Sequence, residues 1–492
     1  MSRALRWYDY FTVNISFTGL MTVAQAMTPL VVPLLVQNFV GQAQQGTYYG
    51  SIRLWSLMAA LLFQALMGLL SDHSRLRWGR RRPFILAGAL ANVVIISLVG
   101  FSAGMEGLSG YYTLFVLLIL MQLASNTAHG AAQGLIPDIV PENRRGRFSG
   151  VKAILEVPVP VILVSFIVGR LISAGNLWAA LAVVILILLT STLVTLFAPE
   201  KPPMGDIPPQ DWQPFLRLVL MTLLFTLVIL GIGLLIRLAS SLFTLDISPA
   251  IWVFAGLGLT FMALAITLGV WISVQVGLGQ AAQAQTSFTW WVINRLAFLV
   301  GATNLASFAV YFLQGRLGLE GEAAAAPASR LIMVVGVFVL VMGLPSGWLA
   351  DRFGSHRLVA VSGILAAIGA AIIIIAPGLP WMYLGAGVVG AAAGLFYPAN
   401  WALGTQLAPH TEAGRYLGIS NLAGAGAGAV GAYIGGPIAD YFTRSFPASP
   451  GMGYLTLFII YAILFLFSTL AASQIASPAQ SSIKLSDQPL SH

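Results

Sequence analysis

The sequence predicts an all-α membrane protein with fourteen transmembrane helices, and two observations carry this prediction. The 492 residues are 58% hydrophobic and only 8% charged, whereas a soluble domain carries about 25% charged residues. That composition excludes a soluble globular enzyme. Apolar runs of the roughly 20 residues that cross a bilayer also recur along the chain. They lie near 10–38, 48–71, 83–103, 111–136, 147–174, 177–198, 214–238, 249–277, 287–313, 330–350, 357–376, 381–408, 413–441 and 453–473.

The distribution of Lys and Arg predicts that both termini are cytoplasmic. The net charge is +8, and most basic residues fall in segments that are cytoplasmic if the N-terminus is inside, such as 75–82 and 144–152. Because basic residues concentrate in cytoplasmic loops, the positive charge reflects topology and we expect no nucleic-acid partner. An even number of spans returns the C-terminus to the same side. We therefore expect a multi-pass protein of the plasma (inner) membrane.

Two loop sequences occur twice and indicate an internal repeat interrupted by an insertion. Gly68–Asp72 returns as Gly347–Asp351, and the Gly-Arg-aromatic sequence at 146–148 returns at 414–416. The copies are farther apart than six spans extend, so we predict two additional spans between parallel six-helix halves. Such repeats build transporters with a binding site between the halves. The predicted parts are an N-terminal bundle over 1–200, a linker with the inserted helices over 201–285, a C-terminal bundle over 286–475 and a disordered cytoplasmic tail over 476–492.

The repeated Gly-x-x-x-Asp loops resemble the cytoplasmic motif of the major facilitator superfamily. The longer first copy, Ser71–Ile85, resembles the form found in sucrose-type transporters of the glycoside-pentoside-hexuronide:cation symporter group, and Leu123–Gly130 resembles the fourth-helix signature of plant sucrose carriers. The resemblance implies a major-facilitator-type fold and secondary transport by alternating access. It also implies a protonatable Asp directly before the Leu-Ala-x-Asn-Thr run, where this chain has Gln122.

The repeated loops supply candidates for a cytoplasmic gate. A Gly at the end of a span permits close helix approach, and the Asp four residues later can accept hydrogen bonds from Arg or from a helix N-terminus. Breaking such a contact would shift the equilibrium between inward-open and outward-open states. The alternative is that the basic residues of these loops only fix the orientation of the protein in the membrane. That alternative would explain a single loop of this kind, but it explains two loops at matching places of a repeat less well. The expected gate residues are Gly68, Asp72, Arg80, Arg81, Arg82, Gly347, Asp351 and Arg357.

A polar stripe in the fourth span predicts a cavity lining. Gln122, Asn126, His129 and Gln133 are three or four residues apart, which places them on one face of a helix. A single such residue is more often a hydrogen-bonding contact between helices, but four together favour a cavity for hydroxyl-rich ligands, because amides and imidazole both donate and accept. Further expected substrate-binding residues are Gln25, Arg295, Asn304, Tyr397, Asn400 and Trp401.

Ionisable side chains inside spans are costly and usually face a cavity or a partner. Glu156, followed by Val-Pro-Val-Pro, is the candidate proton-coupling residue, and its alternative role is an ion pair with Lys152 one turn earlier. Arg295 either neutralises a fixed acid or holds an anionic substrate. Trp401 either stacks on a sugar ring or packs within the bundle.

We therefore expect a secondary active transporter that couples uptake of a sugar or glycoside to H⁺. One alternative is a proton-coupled exporter of amphipathic compounds, since fourteen-helix layouts also occur among drug:proton antiporters; another is a non-transport assembly factor on the same scaffold. The chain has no Cys and no metal-ligand, phosphate-binding or nucleophile motif. We thus expect no enzyme activity, no cofactor or metal, and no partners beyond a small-molecule substrate and the lipid bilayer.

Overall fold

The computed structural model describes residues 5–76, 78–200, 212–242, 248–279, 282, 285–408, 413–449 and 451–475. In these ranges thirteen helices are long and apolar enough to cross a membrane, or up to fourteen if a bent pair counts as one span. The all-α membrane fold class is therefore confirmed. The predicted tail over 476–492 and the linker start at 201–211 lie outside the described residues.

The spans are numbered here in chain order. The first six are α1 Asp9–Val40, α2 Gln45–Asp72, α3 Arg82–Ser102, α4 Gly107–Ile139, α5 Glu142–Ser173 and α6 Leu177–Thr195. The two additional helices are α7 Gln213–Leu242 and α8 Ser248–Leu278. The last six are α9 Thr286–Ser307 with Ala309–Leu317, α10 Ala325–Phe353, α11 Ser355–Ile375, α12 Leu379–Leu407, α13 Ala413–Ser445 and α14 Met452–Ser473.

The two six-helix bundles pack in the same way. α4 packs against α2 and α3, and α12 packs correspondingly against α10 and α11. Small residues allow the close approach that helices need in lipid. A Cβ on Gly88 of α3 would lie 2.5 Å from the carbonyl oxygen of Ala124, and one on Gly369 of α11 would lie 2.7 Å from the nitrogen of Val389. The internal repeat of the sequence therefore corresponds to a repeat in packing.

Among the spans that contact the opposite bundle, α1, α5 and α9 depart from a regular α-helix within their length. α1 is π-helical over Met27–Val31, a segment that contains Pro29. α5 is broken at Val157, directly before Pro158. Proline lacks the backbone donor and clashes with the preceding turn. α9 bends by 59° between its two segments, and each of these three spans contacts the opposite bundle.

The inserted helices α7 and α8 pack on each other and on α13, and α7 also contacts α2. The ring of Phe225 in α7 fits against two glycines, Gly269 of α8 and Gly426 of α13, where Cβ atoms would lie within 2.6 Å of it. Arg237 of α7 stacks over the Tyr433 ring at 4.9 Å. The inserted pair thus covers the line along which α2 of one bundle meets α13 of the other.

Candidate substrate cavity and gates

Two adjacent cavities lie against α4. The larger, about 710 Å³, is lined by α2, α4, α7 and α13. The smaller, about 210 Å³, lies between α1, α2 and α4. Gln64, Gln122 and Asn126 line both cavities, which makes them neighbours. The larger volume is within the usual range for small-molecule sites.

The polar stripe of α4 lies on these cavities, as its spacing predicted. His129 lines the smaller cavity and Gln133 the larger one. The stripe is bonded along the helix, because Asn126 Nδ2 donates to the Gln122 carbonyl at 2.8 Å and Gln133 Nε2 lies 2.8 Å from His129 Nε2. Whether these groups bind a substrate stays a prediction, but the structure brings all four to one place.

Two cavity residues were missed from the sequence. Gln64 of α2 lines both cavities, and Asn421 of α13 lines the larger one. A signal for Gln64 was present, because it is an isolated polar residue one turn before Gly68 in an apolar run. A Cβ on Gly130 would lie 3.0 Å from the Gln64 carbonyl oxygen. The close approach of α2 and α4 at this point therefore places Gln64 beside the stripe.

Gln25 and Asn304 occupy different positions from the stripe. Gln25 is half-buried in α1, three residues before Thr28, which lines the smaller cavity. Asn304 is fully buried, and its Nδ2 donates to the carbonyls of Val300 at 2.9 Å and Ala427 at 3.1 Å. The bond to Ala427 joins α9 to α13, whereas the bond to Val300 lies within α9. The amide of Asn304 thus takes part in a helix contact, and its expected role in substrate binding stays a prediction.

A second polar cluster forms where α9 meets α12. Arg295 Nη1 donates to Asn400 Oδ1 at 2.9 Å, and Asn400 Nδ2 donates to Asn294 Oδ1 at 3.0 Å. The Arg295 guanidinium lies 5.9 Å from the ring of Trp291 and 6.0 Å from that of Trp401. In the described part of the chain no carboxylate lies within ion-pair distance of Arg295. A pair between Arg295 and a fixed acid is therefore not seen among these residues, and binding of an anionic substrate by Arg295 stays a prediction.

The aromatic members of this cluster differ in exposure. Trp291 is buried and its Nε1 donates to the Asn400 carbonyl at 2.9 Å. Trp401 is 44% exposed and Tyr397 is 38% exposed, and the two lie one helical turn apart on the same face of α12. Arg295 is thus flanked by one structural indole and one accessible indole. Arg295, Tyr397, Asn400 and Trp401 thus lie close together, but none of them is among the residues that line the two cavities, and their expected role in substrate binding stays a prediction.

Glu156 makes the ion pair that was the alternative to proton coupling. Its Oε2 lies 3.5 Å from Lys152 Nζ, and both side chains are 24% exposed. Lys152 Nζ also lies 4.4 Å from the centre of the Phe17 ring, which packs edge-on against His129 at 5.5 Å. Glu156 is therefore connected through Lys152 and Phe17 to the cavity stripe of α4.

The first repeated loop is fastened by a buried arginine. Arg81 is only 5% exposed. It is ion-paired with Asp72, donates to Asp138 Oδ2 at 2.9 Å and donates to Ser71 Oγ at 2.6 Å. Arg80 makes a second contact with Asp138 at 2.6 Å. The loop between α2 and α3 is thereby tied to the end of α4.

The start of α3 is capped by Glu200, which follows α6. Its carboxylate accepts the backbone N–H groups of Arg81 at 2.6 Å and Arg82 at 3.1 Å. The first N–H groups of a helix have no partner within the helix, so an acidic group there is stabilising. Gly79 has a φ of 122°, and a Cβ there would lie 2.5 Å from Glu200 Oε2. Glycine is therefore required where the loop passes Glu200.

The second repeated loop has no such network among the described residues. Gly347, Asp351 and Arg357 are all exposed, and neither Asp351 nor Arg357 takes part in an ion pair there. Arg352 instead stacks over the Trp348 ring at 5.3 Å. Among the described residues, the ion pairs of the expected gate residues thus lie within the first bundle.

The two bundles separate at the end where these loops lie and meet at the opposite end. The larger cavity reaches the surface at Asp72, which lines it and is 51% exposed. At the other end, called the closed end below, Gln37 and Gln314 exchange hydrogen bonds of 2.9 and 3.1 Å. Tyr311 also donates to the Pro33 carbonyl at 2.6 Å. Within the described residues, the cavity thus reaches the surface at the end that carries Asp72, and the bundles are in contact at the opposite end.

This architecture of two six-helix bundles around a cavity has counterparts among known proteins. The profile of the Major Facilitator Superfamily matches residues 296–488. A crystal structure of a D-xylose-proton symporter superposes with a TM-score of 0.63 at 15% identity, covering 96% of this chain and 98% of that one. The chain therefore has the major-facilitator-type fold, with an additional pair of spans.

Similarity in sequence is confined to parts of the chain. Sucrose transport protein SUC3 of Arabidopsis thaliana is 28% identical over 192 residues, which are 32% of this chain and 32% of that protein. Multidrug resistance protein MdtH of Photorhabdus laumondii is 32% identical over 126 residues, covering 25% of this chain and 31% of that protein. The matched part spans about a third of the length of these relatives. The expected resemblance to major facilitator and sucrose-type transporters is confirmed.

Proposed function

We propose that the protein is a secondary active transporter that takes up a sugar or glycoside by alternating access, driven by protons. The observation that carries this proposal is the cavity of about 710 Å³, which lies between bundles that contact each other at the closed end in the described residues. Its polar lining consists largely of the amides Gln64, Gln122, Asn126, Gln133 and Asn421. Amides donate and accept hydrogen bonds, which suits a ligand rich in hydroxyl groups.

The cluster on α9 and α12 supplies complementary chemistry from the second bundle. A sugar ring has an apolar C–H face, which the accessible indole of Trp401 can cover. Arg295 can donate to ring hydroxyls while Asn400 and Asn294 hold its position. Among the described residues, the Nε of Arg295 is buried and has no hydrogen-bond partner. We therefore assign substrate contacts to the stripe on α4 and to this cluster.

Proton coupling is assigned to Glu156. Protonation would remove its charge and release the ion pair with Lys152, so that a free ammonium group would lie beside the aromatic ring next to His129. If the N-terminus is cytoplasmic, as the basic loops indicate, the open end of the cavity faces the cytoplasm. The described conformation is then the inward-open one.

An exporter of amphipathic compounds is the second candidate. The partial similarity to a multidrug resistance protein favours it. Exporters of that kind bind apolar surfaces, so the amide-rich lining counts against it. The two candidates differ in the direction of movement relative to the proton gradient, which can be measured directly.

The test is uptake into proteoliposomes under an imposed proton gradient, acidic outside, with labelled sucrose, maltose and monosaccharides. We expect accumulation of at least one sugar above its external concentration, with loss of accumulation in Glu156→Gln but retention of sugar exchange at equal concentrations. Glu142→Gln is the matched control, because Glu142 lies on the same helix and is 89% exposed. Asn126→Ala should reduce both accumulation and exchange about tenfold, because a bound sugar would lose the hydrogen bonds of this cavity-lining amide.

Each failure has a separate meaning. Accumulation that survives Glu156→Gln would keep the sugar proposal and remove Glu156 from it. Movement of no sugar in either direction, together with gradient-driven efflux of a lipophilic cation dye, would replace uptake with export.

A further inference from the structure

A buried carboxylate joins the two bundles at the closed end. Asp440 of α13 is 1% exposed. Its Oδ1 accepts the backbone N–H of Gly46 at 2.9 Å, and its Oδ2 accepts that of Thr47 at 2.7 Å. Both N–H groups belong to the first turn of α2, in the other bundle. The side chain of one bundle therefore caps a helix of the other.

The backbone geometry at this point is built for that contact. A Cβ on Gly46 would lie 2.7 Å from both Asp440 Oδ1 and the Gly436 carbonyl oxygen. Glycine at 46 and 436 lets α2 and α13 touch backbone to backbone. We call Gly46, Thr47, Gly436 and Asp440 the α2–α13 clasp.

The carboxylate depends on the start of α2 for compensation of its charge. In the part of the chain that the structure describes, no basic side chain forms an ion pair with Asp440. The nearest cation on its own helix is the exposed Arg444, one turn away. The buried hydroxyl-bearing side chains Tyr311 and Tyr454 face it from α9 and α14. Removing a buried charge from its partners is costly, so separation of α2 from α13 must expose Asp440 to water or leave it unsatisfied.

The clasp is the strongest polar contact across the closed end. Other hydrogen bonds across this end in the described part of the chain join neutral groups: Gln37 with Gln314, Tyr311 with Pro33, and Ser173 with backbone groups at the start of α10. Hydrogen bonds to a charged group are roughly twice as strong as neutral ones, and the positive end of the α2 dipole adds to them. Charge on Asp440 therefore favours the conformation closed at this end.

We propose that Asp440 is a gating residue, whose carboxylate holds the closed end shut by capping α2 of the opposite bundle. This inference rests on the proposed alternating-access transport, because only such a cycle requires the closed end to open. Neutralising Asp440 should shift the equilibrium toward the conformation open at this end by about tenfold, the effect of weakening charge-assisted bonds.

The chain has no Cys, so pairs of introduced cysteines can carry spin labels without background. One pair, Ala43→Cys with Glu320→Cys, reports the closed end, and a second pair, Asn143→Cys with Gln406→Cys, reports the opposite end; all four positions are exposed. The distance between the two spin labels of each pair would be measured by pulsed electron paramagnetic resonance in proteoliposomes. The proteins compared are the parent, Asp440→Asn and Gly46→Ala. Gly46→Ala keeps the charge but pushes the carboxylate from the N–H groups. Asp9→Asn is the control, because it neutralises a buried carboxylate within one bundle.

We expect both clasp variants to increase the population with a long distance at the closed end and a short distance at the other, with Asp9→Asn unchanged. Folded variants whose distances match those of the parent would overturn the gating role of Asp440. The transport proposal would still stand if the parent changes between the two sets of distances when sugar and a proton gradient are supplied. If Asp440→Asn does not fold, Gly46→Ala decides alone. A parent and variants that never populate a second conformation would overturn both proposals.

Discussion

The two copies of the repeated loop share a sequence pattern but differ in what holds them. In the first copy, Arg81 is buried between Asp72 and Asp138. In the second copy, Asp351 and Arg357 are exposed, with no ion pair among the described residues. Repetition of the Gly-x-x-x-Asp pattern therefore does not make two equivalent gates.

The difference arises from residues outside the motif. Asp138 lies at the end of α4, and the repeat relation that pairs residues 146 and 414 places Gln406 at the same position in α12. An amide cannot replace a carboxylate in an ion pair. The first loop also receives Glu200 as a cap for α3. The first loop is therefore fastened within its own bundle, whereas Asp351 and Arg357 of the second loop have no ion pair in the described part of the chain.

Arg81→Gln should have the largest effect, since it leaves Asp138 and Asp72 without their shared buried partner. Breaking a buried ion pair costs about 3–5 kcal/mol. We expect that loss in the free energy of unfolding, measured by denaturant titration in detergent micelles with tryptophan fluorescence. The matched change Arg357→Gln in the second loop should alter it by less than about 0.5 kcal/mol. Equal losses in the two variants would remove the contrast between the loops.

Asp138→Asn should have an intermediate effect. The amide retains one acceptor but loses the charge that holds Arg80 and Arg81, and hydrogen bonds to charged groups contribute about 1.5–3 kcal/mol. The same unfolding measurement applies. Asp351→Asn, the control in the second loop, should leave stability unchanged within error. If Asp138→Asn is as stable as the parent, the ion pairs of Asp138 do not distinguish the first loop from the second.

The same contrast explains how far the sequence could predict this molecule. Spacing along one helix was sufficient to predict that Gln122, Asn126, His129 and Gln133 lie on one face of α4. Residues three and four apart share a face whatever the helix packs against. The partners of Arg81 could not be found in that way. Asp138 and Glu200 come from other helices, and only packing brings them to the loop. Asn304 shows the converse, because a polar residue in a span can satisfy a neighbouring backbone as well as line a cavity.

The smallest effect is expected from Glu200→Ala, which tests whether the cap of α3 adds to the ion pairs. Loss of a capping side chain costs about 0.5–2 kcal/mol, because the N–H groups of Arg81 and Arg82 lose their acceptor. We expect a decrease in unfolding free energy in that range, and near-additivity with Arg357→Gln, which lies in the other bundle.

With Asp138→Asn the effects of Glu200→Ala should not add, because both changes act on the loop that carries Arg81. Additive losses would mean that Glu200 stabilises α3 alone, and the fastening of the first loop would then be due to Asp72 and Asp138. Glu142→Ala, an exposed acid with a weak contact to Arg145 at 3.5 Å, controls for the loss of a surface charge.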